Sequence, residues 1–230
     1  MINDQVKLAN ASRAMKESEL EQANSNGVDP FKVVIAMDGL AVITNENIEI
    51  DELTIQEIGA IFKGEITNWQ EVGGPDAEIS LYGRQSNSGT FVYFRDNVLQ
   101  ANFSANVRRM NGNAQIVEGV KNDKYGIGYA GIGYVTEGQE VVSGLNVLSI
   151  ASEPGIEAAS PLKPANVKAG DYPLARPLYN YINGQPEGEV LDFLEFALSD
   201  TGQEIVVDIG FYPVSPKYRE LNQQQLPEIY

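Results

Sequence analysis

The run Phe31 to Ile43, FKVVIAMDGLAVI, is apolar and β-branched almost throughout. A strand that shows no alternation of apolar and polar residues must be covered on both faces, as strands are in an α/β sheet with helices on either side. Asp38-Gly39 interrupts the run, so two strand pieces with a bend at the glycine are expected. Thr54 to Gly64 (TIQEIGAIFKG) supplies a covering helix. Thr54 and Glu57 have capping-box spacing, Ile55, Ile58, Ile61 and Phe62 form one apolar face, and Gly64 stands where a left-handed C-cap belongs. Alternating strands and capped helices give the fold class as α/β.

Gly83 to Phe94 (GRQSNSGTFVYF) is the stretch with chemical potential. The apolar run Ile79 to Tyr82 leads to Arg84, a turn of small polar residues follows, and Phe91, Phe94 and Val98 then recur at helical spacing. Ser88 is placed as an N-cap, with Gly89 and Thr90 in the first turn, where backbone N–H groups lack intrahelical partners and the peptide dipoles favour negative charge. Arg84 adds a planar cation that matches two oxygens of a tetrahedral anion. The spacing alone leaves open a plain strand-to-helix turn with a capping serine and a surface arginine.

Composition removes whole classes of function. With no His and no Cys, the chain has no imidazole base, no catalytic thiol, no disulfide and no thiolate or imidazole metal site. A net charge of −16 argues against nucleic acid and anionic membrane surfaces, but not against a small anion held by local N–H dipoles and one arginine. No apolar run approaches the roughly 18 residues of a membrane span, so no direct membrane insertion is expected. No cofactor is implied.

The remaining segments fill in the alternation. Leu8 to Ala11 reads as a short buried strand, Ser18 to Ala23 as a polar helix ended by Asn26-Gly27, and Thr44 to Asp51 as a solvated loop. Trp69 is expected to pack rather than bind ligand. On an acidic protein Arg108 and Arg109 could form a second anion patch, but adjacent residues on a helix point to different sides, so a solvated surface is expected. Tyr125 to Val135 repeats Gly-Ile-Gly-Tyr, as closely packed strands and turns require; Ala151 to Gly170 reads as a Pro-, Ala- and Ser-rich connector. Strand character returns over Asp171 to Gly184, and helices are expected over Pro186 to Ser199 and Thr201 to Asp208.

Taken together, LANASRAMKESE (8–19), VVIAMDGLAVITN (33–45), LTIQEIGAIFKGEITNW (53–69), GRQSNSGT (83–90), YGIGYAGIGYV (125–135) and YPLARPLYNYI (172–182) resemble, in order and over essentially the whole chain, the phosphate-binding proteins of phosphate ABC transporters. The resemblance implies the two-lobe type II periplasmic-binding-protein fold with hinge strands, residues 1–43 plus 177–230 in one lobe and 44–176 in the other, closing over one inorganic phosphate. It implies delivery to the permease subunits of the transporter, a place outside the cytoplasmic membrane, periplasmic or membrane-anchored, and no enzymatic step. Phosphate ligands carried over are Arg84, Ser88, Gly89 and Thr90, with Ser12 from the alanine-serine turn.

The departures from the family pattern also set expectations. The family's first strand and Ser/Thr-Gly loop belong ahead of Met1, and MINDQV resembles the tail of the following helix. The chain is thus expected to be N-terminally truncated, with an exposed sheet edge open to self-association. Arg13 stands where some members carry the aspartate that accepts the phosphate proton, and Asp38 stands where those members have glycine. Asp38 is therefore expected either to take over as proton acceptor or to pair with Arg13. Ser86 replaces an acidic residue that in some members tunes the arginine. The alternatives to phosphate delivery are a truncated non-binding or sensor-type interaction protein and, from a different class, a metal-assisted phosphohydrolase.

Overall fold

The computed structural model describes residues 2–138 and 140–229. In chain order its elements are β1 (Leu8–Ala11), α1 (Glu17–Ser25), β2 (Pro30–Asn45), β3 (Glu52–Thr54), α2 (Ile55–Lys63), β4 (Ser80–Arg84), α3 (Gly89–Phe94), β5 (Arg108–Met110) and α4 (Asn113–Lys121). These are followed by β6 (Gly126–Gly131), the short strands β7 (Thr136–Glu137) and β8 (Glu140–Val141), β9 (Leu145–Val147), β10 (Ser149–Ala151), α5 (Pro164–Ala169), β11 (Ala175–Asn183), α6 (Glu189–Leu198), α7 (Asp200–Asp208) and α8 (Pro216–Gln225).

The chain forms two compact units, Met1–Asp38 with Arg176–Tyr230 and Gly39–Ala175. It passes from the first to the second inside β2, at the Asp38-Gly39 step, and returns at the head of β11. Two sequence expectations change here. β2 is one strand of 16 residues with no break at Gly39; it pairs with β11 and, from Leu40 on, with β6. Residues 2–6 are turn, bend and irregular backbone rather than a helix tail, and Val6, one of their two apolar side chains, is 46% exposed.

In the first unit, β1 lies at the sheet edge, antiparallel to β11 with Leu8 opposite Ile182 and Ala11 opposite Tyr179. It is half-buried rather than fully buried. Asn222 of α8, fully buried, closes a pair of hydrogen bonds on the Val34 backbone, donating to its carbonyl at 2.7 Å and accepting from its N–H at 3.2 Å. That pairing satisfies backbone groups that would otherwise be costly to bury. α8 and α5 both start on proline, and neither was read from the sequence.

In the second unit the later half of β2 pairs antiparallel with β6, from Leu40 opposite Gly131 to Thr44 opposite Ile127; β6 runs parallel to β4 and β4 parallel to β5. α4 packs closely on β6 and β4, and this is where the glycine repeat matters: a Cβ on Gly128 would come within 2.6 Å of the Ile116 side chain. On the aromatic side of the unit, Phe94 stacks on Tyr129 at 4.0 Å, Phe62 meets Phe94 edge-on at 5.1 Å, and Phe91 stacks on Phe103 at 4.6 Å. Rings in offset or edge geometry add ~0.5–1.5 kcal/mol per pair to their burial, so α3 stands on a stiff base. Trp69 is fully buried and its indole N–H donates to the Tyr125 carbonyl at 3.0 Å, the packing role expected of it.

Candidate anion site

β4 ends at Arg84, and α3 begins five residues later at Gly89. A turn joins them, the Ser88 N–H donating to the Gln85 carbonyl at 3.0 Å. Ser88 is the N-cap, with extended backbone and a side-chain oxygen that accepts from the Thr90 N–H at 3.2 Å. Ser88 and Thr90 are buried, Gly89 is half-buried, and Ser86 is exposed. Beyond Phe94 the helix continues through one π turn, Arg95–Leu99.

Arg84 is half-buried, and its guanidinium meets no carboxylate among the described residues. Nη1 donates to the amide oxygen of Asn113, the first residue of α4, at 3.1 Å, while Nε is buried with no hydrogen-bond partner. The backbone N–H of Arg84 donates to the Tyr129 hydroxyl at 3.2 Å. Burial pushes that hydroxyl up to about 12, so it stays protonated near neutrality. A buried donor without an acceptor costs ~1–3 kcal/mol, and a cation faced only by a neutral amide keeps its full attraction for an incoming anion. Among the described residues no three acidic side chains gather to hold a metal ion.

Two arginines of the first unit are paired with carboxylates. Arg13 makes a bidentate ion pair with Glu19, both N···O distances 2.7 Å. The Lys16 N–H also donates to Glu19, and these contacts hold its carboxyl at about 2. Asp38, buried, receives both Nε and Nη2 of Arg176 on Oδ2, at 3.0 and 2.8 Å. Asp38 therefore pairs with Arg176 and not with Arg13: the β2–β11 pairing brings Arg176 alongside, and Arg13 is already neutralised by Glu19. Burial pushes the Asp38 carboxyl up, against the pull of Arg176, and its Oδ1 has no hydrogen-bond partner. Ser12 lies in the bend after β1, half-buried. The structure thus brings Arg84, Ser88, Gly89 and Thr90 together on one strand-to-helix turn, whereas Ser12, Arg13 and Asp38 belong to the other unit.

Arg108 and Arg109 sit on strand β5 rather than on a helix, and neither is simply solvated. Arg108 Nη1 donates to Asp123 at 2.8 Å and to the Tyr82 hydroxyl, and its guanidinium lies over the Tyr82 ring. The guanidinium of Arg109 lies over Phe91 and Phe103, 4.9 and 5.5 Å from their centroids.

Comparison with known proteins agrees with this architecture. The PBP superfamily domain matches residues 2–201. A phosphate-binding protein PstS of Pseudomonas aeruginosa is 34% identical over 227 residues, covering 91% of this chain and 68% of the relative. The chain belongs to the phosphate-binding protein family of the PBP superfamily. Another family member, the PstS of Borreliella burgdorferi, is 32% identical over 220 residues, covering 92% of this chain and 74% of the relative. Among solved structures, a protein of Clostridium perfringens described as a phosphate ABC transporter substrate-binding protein, with bound phosphate, superposes with a TM-score of 0.76 at 30% identity, covering 93% of this chain and 82% of that one.

Three residues that the sequence reading passed over complete the local chemistry: Arg176, Asn113 and Tyr129. Arg176 was visible as a charge inside the strand-like run YPLARPLYNYI, where a buried cation demands a carboxylate. Nothing local marks Asn113 or Tyr129 as neighbours of Arg84. Their contacts depend on α4 and β6 packing beside β4.

Proposed function

We propose that this chain binds inorganic phosphate without chemical turnover, through the Arg84 guanidinium and the Ser88–Thr90 helix start, and hands it to an ABC-type permease outside the cytoplasmic membrane. The observation that carries this reading is the partner set of Arg84: a half-buried cation, one nitrogen of which is buried with no acceptor, at the end of a strand that leads into a capped helix. A tetrahedral anion supplies the acceptors such a cation lacks, and the helix start supplies N–H groups for its remaining oxygens.

Asp38 is proposed as the acceptor of the proton on a protonated phosphate, the role its unpartnered Oδ1 can fill. Sulfate carries no proton near neutrality, so a carboxylate in that role would leave lone pairs facing each other. Ser12 is proposed as a further hydroxyl ligand. The free edge of β1 is the surface to which we assign any self-association.

Isothermal calorimetry with phosphate, with sulfate as competitor and Arg84→Ala as control, tests the reading. Binding of phosphate that Arg84→Ala abolishes and sulfate does not displace is expected. An Arg84→Ala protein that binds as tightly as the parent would remove Arg84 from the site. In Asp38→Asn the preference for phosphate over sulfate should weaken by tenfold or more; an unchanged preference would remove Asp38 from the proton-acceptor role.

A further inference from the structure

Arg84 is not the only arginine near this turn without a carboxylate. Arg109, on the edge strand β5, makes no ion pair among the described residues, and its guanidinium face is occupied by the Phe91 and Phe103 rings. A cation resting on aromatic faces keeps its charge and its N–H edge while being held in one orientation. The β4–β5 register places Gly83 opposite Arg109 and Arg84 opposite Met110. Because successive strand residues face opposite sides of a sheet, Arg84 and Arg109 lie on opposite faces at the same end of β4, the end from which the chain enters the Ser88–Thr90 turn. Their partners agree with this: Arg84 reaches Asn113 of α4, and Arg109 lies over Phe91, the residue after Thr90 in α3. Both guanidiniums also act on the Tyr129 hydroxyl, each pulling its proton affinity down against the effect of burial.

We propose that Arg109 is a second cation of the anion site, one that attracts a small divalent oxyanion through its field without touching it. The inference rests on the phosphate-binding reading of the Arg84 turn and deepens it. An acidic protein, with a net charge of −16, repels anions at long range, and an exposed, uncompensated arginine beside the turn counters that repulsion where it matters. Contact ligands lose affinity at every salt concentration when removed. A charge acting through solvent loses its effect as salt screens it.

The test is phosphate affinity by calorimetry from about 20 mM to about 1 M sodium chloride, for the parent, Arg109→Gln, Arg109→Lys and, as a control for loss of one exposed positive charge elsewhere, Arg219→Gln. Arg109→Gln is expected to weaken binding about threefold to tenfold at the lowest salt and by less than twofold at the highest. Arg109→Lys should restore the parent's affinity and salt slope, and Arg219→Gln should match the parent throughout. A loss in Arg109→Gln that persists at high salt, or one that lysine does not repair, would overturn the proposal in favour of a packing or contact role. Equal affinities for parent and Arg109→Gln would overturn it while leaving the Arg84 reading intact. A parent that binds no phosphate would overturn both.

Discussion

Two arginines of the first unit and two of the second meet different partners, although other cations of the second unit, Arg108 among them, are ion-paired. In the first, Arg176 is buried against Asp38 and Arg13 is clamped by Glu19, so each of these guanidiniums is neutralised by a carboxylate. In the second, among the described residues, the Arg84 guanidinium meets the amide of Asn113 and no carboxylate, and that of Arg109 lies over aromatic rings and makes no ion pair. On a chain with 32 acidic residues, an arginine left without one is a placement that an ion pair does not explain. In the proposed reading, the arginines without a carboxylate beside the start of α3 are the ones that serve an anion. Charge count alone does not separate the two kinds.

Breaking the pair in the first unit should give the largest effect on stability. Asp38→Ala leaves the Arg176 guanidinium buried without its carboxylate and is expected to cost about 3–5 kcal/mol in guanidinium chloride unfolding. A cost under about 1 kcal/mol would mean that Arg176 finds another partner or reaches water.

The cap of α3 comes next. Ser88→Ala removes the oxygen that accepts from the Thr90 N–H and should cost about 1 kcal/mol of stability. Phosphate affinity should fall with it, since the same hydroxyl is proposed as a ligand. Equal stability with lost affinity would make Ser88 a ligand only, and the reverse would make it a cap only.

The Arg13–Glu19 pair gives the smallest effect, visible in acid. The Glu19 carboxyl lies at about 2 in the folded chain against an ordinary value of 4.5. Its contribution is therefore fully present above pH 4.5 and is lost as the pH falls towards about 2. Because both side chains are partly solvated, Arg13→Met is expected to lower stability by no more than about 1 kcal/mol near neutrality. The gap from the parent should narrow as the pH drops through that window, and a gap independent of pH would show that Arg13 acts through packing alone.

Much of the second unit's site could be read in advance because its signals are local. Ser88 caps α3, the Thr54/Glu57 capping box and the Gly64 C-cap bound α2, and Arg84 ends β4, all as the spacing indicated. The first unit resisted the same treatment because its decisive contacts join distant parts of the sequence. Asp38 and Arg176 are 138 residues apart, and their pairing follows from β2 lying beside β11. Gly39 read as a bend and is extended, because it lies inside a strand whose next residue, Leu40, is already paired with Gly131 of β6. α8 escaped notice because PKYRELNQQQ shows no apolar face; a buried Asn222 bonded to the Val34 backbone does the work usually done by leucine.

The claim that Arg84 serves a ligand and not the fold is tested most directly by urea unfolding of the parent and Arg84→Met, each with and without phosphate. Without phosphate the two proteins should unfold at the same midpoint, or the variant slightly later, because methionine removes a buried donor that has no acceptor. Phosphate at about a hundred times its dissociation constant should then stabilise the parent by about 2.7 kcal/mol and leave Arg84→Met unmoved. A variant that is clearly less stable without phosphate, or one that phosphate stabilises as it does the parent, would contradict the account.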